Sequence, residues 1–175
     1  MIIGPIWRIY YAWNMILGNQ CMDLTFRKAT NSTKLRFRED MYSFVDTMPA
    51  WCNATLVMTM DRTREMLLIP DNTFPKIGRF VGVPNVHKGD YVGATRGTVS
   101  LFRMAVKVLH EGRYLVIGDC LNGVVSFLVR RDQKHTWGEV TSVVRKFGLK
   151  FSDVGYPACK FNMRRKLRRR PKNED

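Results

Sequence analysis

Apolar positions along this chain switch between two spacings, and the switches mark the elements. Over residues 21–29, Met22, Leu24 and Phe26 alternate with Asp23, Thr25 and Arg27, the period of two that a half-buried strand requires. After a turn at Asn31-Ser32, the run Lys34-Leu35-Arg36-Phe37-Arg38 alternates again, so the pattern predicts a hairpin with three bases on one face of its second strand. The spacing then changes. Met41, Phe44, Val45 and Met48 recur at i, i+3, i+4 and i+7, with Asp40 near the start and Pro49 after the end, which predicts a helix of about ten residues. Residues 54–60 and 65–69 flank Asp61-Arg62-Thr63-Arg64 and predict a second hairpin. Residues 70–93, with Pro70, Pro75, Pro84 and four glycines, read as a long irregular loop or short edge strands.

The second half is cleaner. Residues 97–109, 113–118 and 123–129 are rich in Val, Leu, Ile and Phe and are separated by Glu111-Gly112 and Asn122-Gly123, predicting a three-stranded meander. Thr136-Trp137-Gly138-Glu139 is a capping box, in which the threonine hydroxyl takes the N3 amide and the glutamate reaches back to the cap. Val140, Val143, Val144 and Phe147 form the stripe of the helix that it opens, Gly148 its stop, and Leu149 to Val154 a short final strand. The order of elements predicts an α+β domain: an antiparallel sheet with two or three helices packed on it.

Residues 2–17 are apolar and aromatic but interrupted by Arg8 and Asn14, which is short of the roughly 20 apolar residues of a spanning helix. There is no basic stretch before them and no small-residue cleavage pattern after them, so neither a signal peptide nor a membrane span is expected, and a soluble chain is. Read as a helix, the segment starts at Pro5, carries Ile6, Ile9, Tyr10, Trp13, Ile16 and Leu17 on one face, and stops at Gly18. Two uses fit: a helix or strand packed on the domain body, or an interfacial element in which Trp7, Tyr10, Tyr11 and Trp13 meet a membrane or another copy. The expected organisation is an aromatic segment at 1–20, a globular domain at 21–161 and a disordered basic tail at 162–175.

Composition adds the sign of the surface. Of 175 residues 45% are apolar, enough for a core, while 29 Lys and Arg face 15 Asp and Glu for a net charge of +14. Residues 164–175 hold seven bases and two acids; without them 22 bases still face 13 acids, so the body alone is +9. A field of this sign favours polyanions, either nucleic acid or an anionic membrane. The densest cluster is Arg164, Arg165, Lys166, Arg168, Arg169, Arg170 and Lys172, self-repelling when alone and suited to phosphate or to a nuclear import receptor. Lys34, Arg36 and Arg38, with Arg27 across the expected hairpin, and Arg130 and Arg131 with Lys134 are further candidates. None of these reads bases, so binding without sequence preference is expected.

Candidate chemistry is sparse. Cys21, Cys52, Cys120 and Cys159 are far apart with no C-x-x-C pair, which argues against a structural zinc site and for reduced, mostly buried thiols in an intracellular protein. His87, His110 and His135 stand near turns without ligand spacing, there is no phosphate-binding G-x-x-x-x-G-K-[ST] loop, and Cys120 lies in a turn-like Gly-Asp-Cys-Leu-Asn-Gly. No catalytic residue, metal or cofactor is expected.

The element order over the first fifty residues resembles the start of the globular core of rhabdovirus matrix proteins: strand, Asn-Ser turn, strand, helix. Gly93-Ala-Thr-Arg-Gly-Thr-Val-Ser-Leu101 resembles that family's Gly-x-x-x-Gly-Thr-[IV]-x-Leu strand, and Val144-Arg-Lys-Phe-Gly-Leu149 its closing helix. The resemblance spans roughly residues 21–155. It lacks a basic N-terminal arm and a P-P-x-Y motif, as a short member from a plant-infecting branch would. It implies a non-enzymatic virion protein that self-associates, coats the nucleocapsid or its RNA and bridges it to the anionic inner membrane leaflet during assembly and budding. Its places would be the virion, the host cytoplasm and membrane periphery, and the host nucleus. The alternative from charge alone is a general nucleic-acid-binding protein, such as a movement protein, a silencing suppressor or a ribosomal component, that uses the basic tail.

Overall fold

The computed structural model describes residues 1–15, 21–60, 63–71, 78–86, 97, 99–146 and 155–157, the last three by backbone alone. Strands β1 (Trp7–Trp13) and β2 (Asp23–Lys28) are followed by helix α1 (Asn31–Met41) and then by β3 (Leu56–Met60), β4 (Arg64–Pro70), β5 (Arg79–Pro84), β6 (Phe102–Leu109), β7 (Tyr114–Asp119) and β8 (Val124–Arg130). Helix α2 (Trp137–Lys146) and the short strand β9 (Gly155–Pro157) complete the described chain. Every pairing is antiparallel, and each strand from β2 to β8 pairs with the next. β8 then returns to β1, and β1 meets β2 at Trp7↔Leu24 and Arg8↔Asp23. The eight strands close into a barrel in sequence order. Beyond Arg8 the β1 edge is taken over by β9, from Tyr11↔Pro157 to Trp13↔Gly155.

The expected α+β sheet carrying two or three helices is therefore corrected to a closed antiparallel barrel with two short helices on its outside. Closure satisfies the hydrogen-bonding groups that an open sheet leaves at its edges. It also divides each strand between a filled interior and an outer wall. Inside lie Trp7, Ile9, Ala12, Leu24, Phe26, Met58, Met66, Leu68, Met104, Leu115, Ile117 and Leu128, all buried in one cluster. Methionine suits the irregular space of a small barrel, being unbranched and adaptable. Gly82 makes room for two of these residues: a Cβ there would sit 2.6 Å from the Met66 sulfur and 3.0 Å from Met104 Cγ.

Each helix seals part of the outer wall. α1 and the turn after it lay Phe37, Met41 and Val45 over Val57, Leu67, Ile69 and Val83 of β3 to β5. α2 lays Val140, Val143 and Val144 over Tyr11, Trp13, Tyr114, Phe127 and Val129 of β1, β7 and β8. Its capping box forms as expected. The Glu139 amide donates to Thr136 Oγ1 (3.3 Å), and the Thr136 amide donates to Glu139 Oε2 (3.0 Å).

Local expectations are sharpened or changed. Residues 7–13, left open as a helix or strand packed on the body, form a strand, and Tyr10 is the extra residue of a bulge: Ile9 faces Leu128 while Tyr11 faces Phe127. That one-residue shift turns Tyr11 and Trp13 outward beneath α2 and keeps Ala12 inside. Residues 34–38 are helical, not a strand. Thr30 caps the helix by accepting from the Thr33 amide (3.2 Å), and Thr33, Phe37 and Met41 are its buried stripe. The alternation of Leu35 with Phe37 was misleading, since Leu35 is 51% exposed. The helix expected over Met41 to Met48 shrinks to the end of α1 and a turn. The strand–turn–strand–helix order that carried part of the matrix-protein resemblance is thus a strand followed directly by a helix. Residues 93–96, 98 and 147–149 of its other two segments lie outside the described residues, and Val99 to Leu101 precede β6 without strand structure. The expected final strand at 149–154 also lies outside them.

Candidate polyanion-binding surface

Among the described residues, the α1 and α2 clusters take no outward residue of β2 and, on β6, only Leu109. On the β2 stretch the outward positions are Asp23, Thr25 and Arg27, with Arg8 beside them on β1 and Thr59 and Glu65 on β3 and β4. The charges gather into two triads of the same make-up. Asp23 accepts two hydrogen bonds from Arg8 (2.7 and 2.9 Å) and a third from Arg131 (3.2 Å). Glu65 accepts from Arg27 (2.9 Å) and from Arg36. Each triad joins separate elements: β1, β2 and the end of β8 at Asp23; β2, α1 and β4 at Glu65. Burial by itself would raise the Glu65 pKa, but hydrogen bonds and charge from Arg27 and Arg36 outweigh it and hold the carboxyl below its ordinary value. The Asp23 hydrogen bonds likewise raise the Arg8 pKa against the opposing effect of burial.

The β6 stretch is arranged differently. With Phe102, Met104 and Val106 packed inside, Arg103, Ala105 and Lys107 face out, and both bases are exposed. Register places Arg79 of β5 opposite Ala105 and Gly118 of β7 on its other side. Three bases therefore surround a floor of two small residues. Arg103 and Lys107 lie about 13 Å apart along the strand, and Arg79 stands diagonal to both at about 7–8 Å. Among the described outward positions of these three strands there is no carboxylate. At the margin the Asp71 amide donates to the Arg79 carbonyl (3.0 Å), and Asp71, Arg79 and Lys107 each make a further interaction within the chain.

The residues singled out from sequence are scattered over this frame. Lys34, Arg36 and Arg38 share α1 but not one face. Lys34 Nζ donates to the Cys52 carbonyl (2.8 Å), Arg36 belongs to the Glu65 triad, and Arg38 is exposed in the last turn. Arg130 pairs with Asp132, and Arg131 with Asp23. His135 packs beneath Arg130: its Nε2–H donates to the Arg130 carbonyl (3.1 Å), and burial lowers the ring's pKa. Trp7 is fully buried in the barrel, with Nε1 donating to the Ile2 carbonyl (3.0 Å). Tyr11 and Trp13 are buried under α2 with ring centroids 4.7 Å apart. Of the four aromatics, Tyr10 alone stays half-exposed, 5.8 Å from the ring of the exposed Trp137. Arg164, Arg165, Lys166, Arg168, Arg169, Arg170 and Lys172 lie outside the described residues.

The cysteines also depart from expectation. Cys52 and Cys120 are free but exposed rather than buried, and Cys21 is disulfide-bonded. Cys120 sits just past β7, its amide donating to the Arg103 carbonyl (2.7 Å). Among the described residues no group of three His, Cys, Asp or Glu could hold a metal ion, and no helix is long and apolar enough to cross a membrane.

Arg79, Arg103 and Lys107 were not singled out from sequence. A local signal existed for two of them, because Phe102-Arg-Met-Ala-Val-Lys107 alternates and sets Arg103 and Lys107 on the polar side. Arg79 joins them only through the β5–β6 register, which no local pattern contains. Compared with known protein families and with curated proteins, the sequence matches no family model and no individual protein.

Proposed function

We propose that this protein is a non-enzymatic structural protein that binds phosphate-rich polyanions without reading sequence, with nucleic acid as its principal ligand. The observation that carries the proposal is the separation of charge from core. The barrel interior is filled by its own side chains, Trp7, Phe26, Leu68, Leu115 and Leu128 among them, which leaves the outside as the working surface, and that outside belongs to a chain of +14. Cationic surfaces capture polyanions by releasing condensed counterions, without contacts to bases.

The matrix-type role is the narrower form of this proposal: self-association, coating of a nucleocapsid, and bridging to an anionic leaflet. Nucleic acid is favoured over membrane as the principal ligand because Trp7, Tyr11 and Trp13, the side chains that would enter a bilayer interface, are committed to the core. The test is the salt dependence of binding between the full chain and a fluorescent oligouridylate. If all seven bases of 164–172 contact phosphates, they contribute about −5 to the slope of log K against log salt, at about −0.7 per contact. Deleting residues 164–175 then removes that share and leaves a smaller slope from the body. Binding that does not respond to salt refutes the proposal. For the matrix-type form, sedimentation at falling salt should reveal open-ended self-association, and a monomer at every concentration excludes it.

A further inference from the structure

We infer that Asn31 and Asn53 are acceptor sites for N-linked glycans, and that the chain matures in an oxidising compartment where such glycans are added. The inference goes beyond the polyanion-binding reading, which holds on either side of a membrane. It competes with the matrix-type form, which needs the cytoplasmic face.

Two independent observations meet here. The first is the state of the cysteines. Cys21 is disulfide-bonded while Cys52 and Cys120 are free, so Cys159, the fourth cysteine of the chain, is the partner left to it. Disulfides form and persist in secreted, luminal and surface proteins and are rare where glutathione keeps thiols reduced. The second is a pair of acceptor triplets, Asn31-Ser32-Thr33 and Asn53-Ala54-Thr55, neither with a proline at its centre. Transfer joins the asparagine Nδ2 to the anomeric carbon of a lipid-pyrophosphate-linked oligosaccharide. Nδ2 gives up one proton, and the lipid pyrophosphate leaves.

The fold accepts a glycan at both positions. Asn31 and Asn53 are exposed, and both belong to residues 21–60, which the structure describes without a break. Asn31 is the first residue of α1, and the capping bond there runs from the Thr33 amide to Thr30 Oγ1. Thr33 is buried in the finished helix, so transfer at Asn31 precedes folding. Asn53 ends the short helical turn Trp51–Asn53 before β3, and its Oδ1 accepts from the Cys52 thiol (3.5 Å), which leaves Nδ2 as the atom of attachment.

The two sites are also neighbours. Lys34 Nζ donates to the Cys52 carbonyl (2.8 Å), tying the first turn of α1 to the turn that ends at Asn53. Leu35, 51% exposed, follows Asn31 by one helical turn on the same face, and the exposed Cys52 thiol adjoins Asn53. Glycans at this pair would cover an exposed leucine and a thiol that oxidation would otherwise reach.

The test is peptide mapping of the full-length protein isolated from the cells that produce it, after peptide N-glycosidase treatment in heavy-oxygen water. Heavy-labelled deamidation at Asn31 and Asn53 is expected, together with a non-reduced peptide that links Cys21 to Cys159. Unlabelled asparagine at both positions overturns the inference, and label at only one assigns the glycan to that site alone. The full chain carried behind a secretory leader in cultured animal cells checks the sites singly. Asn31→Gln and Asn53→Gln should each shift gel mobility by one glycan, and the double variant by two. Thr55→Ser, which keeps the acceptor hydroxyl, should match wild type, while Thr55→Ala should match Asn53→Gln. A mobility that neither the glycosidase nor any of these variants alters overturns the inference. Oligouridylate binding by the deglycosylated chain bears only on the polyanion-binding reading, so the two can fail separately.

Discussion

Two stretches of the outer wall, around β2 and around β6, carry the same cationic side chains in different settings. Around β2, four arginines are divided between two carboxylates, so that Arg8 and Arg131 converge on Asp23 and Arg27 and Arg36 converge on Glu65. Those groups tie together elements far apart in sequence, at the seam where β1 meets β2 by only two residue pairs. Around β6, bases face outward from strands already held on both sides, and the described outward positions contain no carboxylate. Composition does not tell these settings apart: the arginines around β2 are matched to acids across elements, while on the β6 side Arg103 is exposed and Arg79 and Lys107 make interactions of their own within the chain.

The interior supports both walls, so the largest effect comes from breaking it. Leu68→Ala removes a fully buried side chain from the barrel core and should cost about 2–5 kcal/mol in urea unfolding. That is enough to erase the comparison, and a loss under 1 kcal/mol would mean that the barrel interior is not the stabilising core. Adding volume tests the same core from the other side. Gly82→Ala sets a methyl against the Met66 sulfur and should cost about 1–3 kcal/mol unless the methionine swings aside.

Next in size is the difference between the walls. Glu65→Gln leaves Arg27 and Arg36 without their shared anion and should cost on the order of 1 kcal/mol, because the glutamate is mostly shielded while the arginines are half-exposed. Arg103→Gln, at an exposed base of β6, should change stability by less than about 0.5 kcal/mol. If it proves the more destabilising of the two, the contrast between paired and exposed cations fails.

The smallest effect is in pH. Because the folded Glu65 pKa lies below the ordinary 4.5, the triad contributes fully above that value, and its contribution is lost as pH falls through the lower folded pKa. Melting temperature should therefore drop on acidification below pH 4.5, and Arg27→Gln with Arg36→Gln should flatten that limb. An unaltered acid limb in the double variant would show that Glu65 owes its shift to other groups.

Much of the fold was legible locally. The alternation at 21–29, the hairpin at 54–69, the meander over 97–129 and the capping box at Thr136 correspond to β2, β3–β4, β6–β8 and α2. Elements were also misread, for physical reasons. At Lys34 to Arg38 a short alternating run overlaid a helix whose real signal was the threonine cap at Thr30. At Trp7 to Trp13 a bulge breaks the period of two, which is why the pattern left helix and strand both open. The candidate surface was legible as net charge and, on β6, as alternation, but not as a site.

Local pattern carried a body with a sufficient core, an excess of bases that outlasts removal of the tail, and the periods of most strands and of α2. It took the folded chain to show that the strands close into a barrel, that Trp7, Tyr11 and Trp13 turn inward or under a helix, that Arg79 stands beside Arg103 and Lys107, and that Arg8 and Arg27 are matched to acids. Periodicity reports which residues share a face of one element. Closure, register and ion pairing depend on residues tens to more than a hundred positions apart, such as Asp23 and Arg131, and are set by the packing that brings them together.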